Sequence, residues 1–241
     1  MASKVSTPGS ESSSVQDYVK TIYALSEWHD EPVTSSRLAA RLSVANSSVS
    51  EMIRKLAELG LVNHTPYRPV ELTADGRRLA LAMVRRHRLI ETFLVRDLDY
   101  RWDEVHDEAE LLEHTVSDTF IDRLDARLGF PSVDPHGDPI PTAAGAITLP
   151  DALPLDSFDD GHSGRVTRIS DEDPQLLRFL AAEDIGIGSP VEVLGRAPFG
   201  GPLQARVGTG TGARDFSFGK ELTGAIWVES VGRHAGCSLV P

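Results

Sequence analysis

The sequence predicts a mostly α chain with a small β domain at its C-terminal end. Three observations carry that prediction. Residues 14–59 contain three segments with apolar side chains at helical spacing, and residues 74–128 contain three more. After a proline-rich stretch, residues 164–230 break into five short β-prone runs separated by glycines.

Taken in order, SVQDYVKTIYALSEW (14–28) puts Val15, Tyr18, Val19, Ile22 and Leu25 on one helical face. SSRLAARL (35–42) fits a second helix. SSVSEMIRKLAELG (47–60) fits a third, with Val49, Met52, Ile53, Leu56 and Leu59 on one side and Gly60 as its stop. LVNHTPYRPVELT (61–73) reads as two β pieces around a turn holding Pro66 and Pro69. Two short helices, a tight turn and a following hairpin form the pattern of a winged helix-turn-helix.

A long helix is predicted from Ala74 to Leu98, another from Trp102 to about His114, and a third from Ser117 to Leu128. Residues 131–163 hold six prolines and little periodicity, which predicts a linker. GRVTRIS, SPVEVLGRA, LQARVG, ARDFSFG and AIWVES then read as five strands, with the helix DPQLLRFLAAEDI between the first two. Five short strands this close together predict a small β-barrel. The expected boundaries are a polar leader at 1–12, the winged helix at 13–73, a helical domain at 74–130, the linker at 131–163, the β domain at 164–230 and a tail at 231–241.

The net charge of −12 argues against nucleic-acid binding until its distribution is considered. Residues 1–78 carry nine Lys+Arg and nine Asp+Glu, while 79–241 carry fifteen against twenty-seven, which accounts for the whole excess. A locally neutral first region can still present a basic face. The only cysteine, Cys237, excludes an internal disulfide and a cysteine-based zinc cluster. No apolar run approaches the roughly 20 residues that span a bilayer. The leader MASKVSTPGSESSS lacks a signal-peptide core, so a cytoplasmic protein with no membrane partner is expected.

VHDEAELLEH (105–114) places His106, Glu110, Glu113 and His114 within an arc of roughly 100° on one helix. His87 and Glu91 share a face of the preceding helix. Imidazole with carboxylate is a ligand set for Mn, Fe, Co, Ni or Zn. On spacing alone a solvated acidic helix face fits better, since acids on exposed helices are ordinary.

The helix-turn-helix followed by RRHRLIETFL, VHDEAELLEHTVSD and DPHGDPIP resembles the diphtheria toxin repressor family of metal-dependent transcriptional repressors. The likeness runs from about Ser13 over nearly the whole chain. It implies a helical dimerisation and metal-binding domain and a C-terminal SH3-like (FeoA-type) domain. It further implies no enzymatic activity, a homodimer on palindromic operator DNA, with up to two dimers per operator, and control of metal-homeostasis genes.

Two ions per chain are implied. One position takes Glu110, Glu113 and His114 with Asp17 from the first helix. The other takes His87, Glu91 and His106, joined by Glu172 and Gln175 from the SH3-like domain. Iron-type members carry cysteine in place of Glu110 and methionine in place of Asp17, whereas manganese-type members carry Glu and Asp. Carboxylates suit the hard Mn²⁺ ion better than sulfur does, although Fe²⁺, Co²⁺, Zn²⁺ or Cd²⁺ could substitute. Lys20 stands where short manganese-type members have a second acidic ligand, which favours two separated ions over a binuclear cluster.

Ser47, Ser48, Ser50 and Glu51 open the recognition helix, and Arg54, Lys55 and wing residue Arg68 supply positive charge for DNA. The serines fit phosphate contacts or simple helix capping. Glu51 could accept from cytosine N4 or face solvent. Leu111, Leu112, Phe120, Ile121 and Leu124 fit either a dimer face or internal core. GTGTGA (208–213) formally matches a dinucleotide fingerprint, but a strand and not a helix follows it, so a hairpin turn is expected. GHSG (161–164) has the wrong spacing for a nucleophile elbow. His29, His64, His136, His162 and His234 are expected to be exposed, and Tyr67 to touch DNA or pack in the wing. The rival class is a di-metal carboxylate enzyme, but its Glu-x-x-His pairs are three residues apart, and those here are four apart.

Overall fold

Helix α1 (Ser13–Glu27) turns Val15, Tyr18, Val19, Ile22 and Tyr23 into a core shared with α2 (Ser35–Leu42) and α3 (Asn46–Glu58). A computed structural model of the chain describes residues 12–28, 31–65 and 68–231. Thr34 caps α2 by accepting from the Arg37 amide, and Ser43 ends it in the left-handed region with φ 54°. Gly60, at φ 72°, stops α3 in a conformation that any side chain would strain. Strands β1 (Val62–Asn63) and β2 (Glu71–Leu72) pair antiparallel, with Val62 opposite Leu72. The winged helix is therefore present, while Tyr67 of its turn lies outside the described residues, as do His29 and His234.

The first turns of α4 (Ala74–Leu98) add Leu79, Ala80, Leu81 and Val84 to the same core. Further along α4, Arg85, Arg86 and Arg88 are buried, and each is matched. Arg85 donates to Asp125 of α6 (Asp118–Arg127) at 2.7 Å, and Arg88 forks onto Glu27 of α1 at 2.6 and 3.1 Å. Arg86 donates to Asp118 and, at 3.3 and 2.6 Å, to the Glu113 and Val116 carbonyls at the end of α5 (Val105–Glu113). A cation on the last carbonyls of a helix also complements its dipole. Matching is required, because a buried guanidinium without a partner costs several kcal/mol.

The chain divides into two units. The first holds the described residues to Ile90, Ala109–Phe130 and Ile140–Ile147. The second holds Glu91–Glu108, Pro131–Pro139 and the residues from Thr148 onward.

The second unit is built on an antiparallel sheet of six strands in the order β3-β8-β4-β5-β6-β7. These are β3 (Ala152–Pro154), β4 (Ser163–Ile169), β5 (Pro190–Arg196), β6 (Leu203–Val207), β7 (Arg214–Phe218) and β8 (Ile226–Ser230). Register shifts between Val166 and Arg168 and between Val193 and Gly195 mark bulges, which bend strands. Helix α7 (Pro174–Ala182) starts with Asp173 as cap and Pro174 in its first turn, and the short α8 (Lys220–Gly224) precedes β8. Leu177, Leu180, Ile169, Val193, Leu203 and Ile226 lie in the core, and Trp102 packs against it. The GTGTGA segment forms a loop with a 3-10 turn at Gly210–Gly212 between β6 and β7, as its hairpin reading required.

Two expectations are corrected here. Strand β3 lies inside the expected linker. Residues 131–139 are also no loose tether. Asp134 Oδ1 accepts from the amides of His136 and Asp138 at 2.8 and 2.9 Å, and Val133 bridges Pro139. Asp138 binds Arg168 Nε at 2.8 Å, and that guanidinium lies 4.1 Å over the Trp227 ring. Gly137 has φ 88°, and a Cβ there would meet the Thr167 carbonyl at 1.9 Å. Proline and glycine mark rigid close turns as readily as flexible spacers, and composition does not separate the two.

Candidate metal centre

In the first unit, the α5 acids meet α1. Glu113 is fully buried and lies at the centre. Its Oε2 is 2.7 Å from His87 Nδ1, while its Oε1 is 2.6 Å from Lys20 Nζ and 3.5 Å from His114 Nε2. His114 Nε2 also lies 2.8 Å from Asp17 Oδ1. Lys20 reaches Glu110 Oε1 at 2.7 Å. One donor atom from each of Asp17, Glu113 and His114 falls within 4.8 Å of the others, and the same holds for His87, Glu110 and Glu113. Of the four residues the resemblance grouped, Asp17, Glu113 and His114 share one donor set, while Glu110 falls with His87 and Glu113 in the other.

The electrostatics follow from charge held out of water. Burial raises the Asp17 pKa above the usual carboxylate range, and the neighbouring His114 and Lys20 offset this only in part. Burial would raise Glu113 too, but the His87 hydrogen bond and the Lys20 charge hold it below that range. Burial opposes the Lys20 charge, yet Glu113 and Glu110 outweigh it and raise the ammonium pKa. Sequence reasoning missed Gln16, whose Oε1 accepts from His114 Nδ1 at 2.7 Å and so turns Nε2 toward Asp17.

The second unit holds another set. His106 Nδ1 lies 2.9 Å from Asp171 and 3.6 Å from Glu91. His136 is fully buried, donates from Nε2 to the Trp102 carbonyl at 2.7 Å, and stacks on the Trp102 ring. A carbonyl only accepts, so the proton belongs to Nε2 and the inward Nδ1 faces Glu91 Oε2 at 4.0 Å. Asp134 joins Glu91 and His136 within 4.8 Å. His87, assigned to this position by the resemblance, stands one helical turn before Glu91 on α4.

Burial lowers the His106 pKa, but hydrogen bonds to Asp171 and Glu91 outweigh it and push it up to about 10. Burial likewise opposes the His136 charge, while Glu91, Asp134 and Asp171 raise its pKa.

Here the structure departs from the sequence reading. Asp171, not Glu172, reaches His106. Glu172 and Gln175 are exposed, with the Gln175 amide bonded to the helix cap Asp173. The loop after β4, not the residue spacing, decides which acid turns inward. His136 and His162 are buried, not exposed, and His162 Nε2 is 2.7 Å from Ser230 Oγ. Both donor sets consist of imidazole nitrogen and carboxylate oxygen at mutual distances a divalent ion can bridge, so the residues present fit such an ion.

On α3, Ser47, Ser48, Ser50, Glu51, Arg54 and Lys55 are all exposed, as is Arg68 in the wing. Ala45 occupies the cap position, and Ser50 Oγ donates back to Asn46 O at 3.0 Å. None of these serines caps the helix.

Three family models match in sequence order. They are the iron dependent repressor N-terminal DNA binding domain over residues 12–70, its metal binding and dimerisation domain over 73–142, and the FeoA domain over 153–230. The iron-dependent repressor IdeR of Mycobacterium tuberculosis is 37% identical over 152 residues, covering 63% of this chain and 64% of that protein. The diphtheria toxin repressor of Corynebacterium efficiens is 34% identical, covering 73% of this chain and 81% of that protein. A solved manganese-dependent transcriptional repressor in complex with manganese is 51% identical with a TM-score of 0.86, over 90% of this chain and 100% of that one. A DNA-reading head followed by a metal-binding helical domain is the build of a metal-dependent transcriptional repressor. The chain belongs to the diphtheria toxin repressor family.

Proposed function

We propose that this repressor responds to Mn²⁺, holds two ions per chain and binds palindromic operator DNA as a homodimer in the cytoplasm, controlling metal-uptake genes. The observation that carries the reading is the meeting of Asp17, from α1 of the winged helix, with Glu113 and His114 of α5. A bound divalent ion supplies the charge that offsets these carboxylates. With that charge in place, Asp17 draws α1 toward α5 and restrains the recognition helix α3, which packs on α1. In a two-fold dimer this restraint sets the spacing of two α3 helices against half-sites about 34 Å, or a multiple, apart. The equilibrium shifts toward the DNA-competent arrangement by the ion's differential affinity for it.

The second ion is assigned to Glu91, His106, His136 and Asp171, with His87 added by the family resemblance. Dimerisation is supported by Leu111 and Phe120, which are 71% and 45% exposed, whereas Ile121 and Leu124 are buried within the chain. Ser47, Ser48, Ser50, Arg54, Lys55 and Arg68 serve phosphates, and Glu51 reads a base edge. Manganese is preferred because the donors are all oxygen and nitrogen, and because the 51% identical relative is manganese-dependent. Fe²⁺ is the second reading, since the mycobacterial relative is an iron-dependent repressor.

The test is selection of bound duplexes from a random pool, followed by DNA titration with Mn²⁺, Fe²⁺, Co²⁺ and Zn²⁺ at matched free-ion levels. Saturable binding at micromolar free Mn²⁺ is expected. A response to Fe²⁺ with none to Mn²⁺ would overturn the metal assignment.

A further inference from the structure

The metal-binding half of this fold contains a cation of its own. Lys20 Nζ lies 2.7 Å from Glu110 Oε1, 2.6 Å from Glu113 Oε1 and 3.4 Å from His87 Nδ1. These three partners are also a candidate ligand set, with donor atoms within 4.8 Å of one another. They adjoin Asp17, Glu113 and His114 through the shared Glu113. The ammonium thus occupies the centre of one of two neighbouring ion positions. Asp17 and Lys20 are three residues apart on α1, so one helical face delivers a ligand to one position and a positive charge to the next. Side-chain exposure of 12% for Lys20 and 0% for Glu113 removes most of the solvent screening between them.

Resting on the reading of Asp17, Glu113 and His114 as an ion site, we propose that Lys20 is a tethered antagonist of divalent-ion binding. It fills the His87–Glu110–Glu113 position, restricts this centre to one ion, and raises the free-ion level that ion requires. The arriving ion must draw Glu113 away from the ammonium, and the two positive charges then repel across a few ångströms of protein. A merely structural tie would act otherwise. Its loss would loosen the packing of α1 on α5 and leave ion affinity unchanged or weaker.

The test is calorimetric titration of the full-length protein with Mn²⁺, with bound metal counted by elemental analysis after gel filtration. The site class weakened by Asp17→Ala identifies this centre. Lys20→Met is expected to tighten that class by about tenfold, equivalent to about 1.4 kcal/mol. Lys20→Arg, which keeps the charge, is expected to stay within threefold of the wild type. Lys20→Glu is expected to add one ion per chain, because it supplies a carboxylate where the ammonium was. A gain below threefold in Lys20→Met, or weaker binding, overturns the proposal. If circular dichroism shows that Lys20→Met does not fold, Lys20→Gln carries the same criterion. A wild-type protein that binds no Mn²⁺ at all would sink the underlying site reading, whereas normal wild-type binding with an unchanged Lys20→Met would sink this inference alone.

Discussion

Gln16 Oε1 and His114 Nδ1 are joined by a 2.7 Å hydrogen bond from α1 to the end of α5. Both border the donor set of Asp17, Glu113 and His114, and the Gln16 carbonyl oxygen is engaged by the ring. It acts by holding the ring so that Nε2 faces Asp17. Outer partners of this kind are worth about 10–100-fold in metal affinity. Gln16→Ala should therefore weaken Mn²⁺ binding by about tenfold or more while leaving the circular dichroism spectrum unchanged. Unchanged affinity would show that the ring needs no such partner.

The raised pKa of His106 gives two pH dependences of opposite sign. In the metal-free protein, its folded value of about 10 lies above the ordinary 6.5. Its contribution to stability is then complete below pH 6.5 and is lost as pH rises toward 10. Thermal melts of the chelated protein should show this decline. Ion binding at the same residue displaces a proton, so affinity at the second site should rise between pH 6 and 8, by up to about tenfold per unit for each proton released. A pH-independent affinity would remove His106 from the ligand set.

Gly137→Ala tests the docking of residues 131–139. The added methyl would meet the Thr167 carbonyl at a backbone angle, φ 88°, that L residues rarely adopt. Strain of this kind costs about 1–3 kcal/mol. A lowered urea midpoint is expected, together with weaker binding at the site that contains His136. Wild-type stability would mean that this turn is not anchored on β4.

Arg54→Ala and Lys55→Ala should each weaken operator binding across sequences and reduce the slope of log affinity against log salt by about one per lost phosphate contact. Glu51→Gln should change which base is preferred and leave the salt slope unaltered. A salt slope identical to wild type in both cation variants would place the DNA on another face.

Elements with regular periodicity were legible in the sequence. The apolar stripe of α1 and the stop at Gly60 both correspond to the structure, because each depends on residues within a turn or two of one another. The grouping of Asp17 with Glu113 and His114 was legible through family resemblance, and the shared helix face put Glu110 beside Glu113. What escaped depends on how distant segments dock. His136 looks like an isolated histidine in a proline-rich stretch, and only the packing of that stretch on β4 and Trp102 buries it. Asp171 and Glu172 are neighbours of similar chemistry, and the course of the loop chooses between them. Lys20 was visible as a departure from the family pattern, but its bridge across Glu110 and Glu113 is a tertiary fact.

In the proposed function, an ion seated between α1 and α5 couples metal level to DNA binding through Asp17. The most direct measurement is fluorescence-anisotropy binding of operator DNA by the wild type and by Asp17→Ala, each with and without saturating Mn²⁺. Mn²⁺ is expected to tighten wild-type binding by at least tenfold, about 1.4 kcal/mol, and to give Asp17→Ala no comparable gain. An equal manganese-dependent gain in both proteins would contradict it.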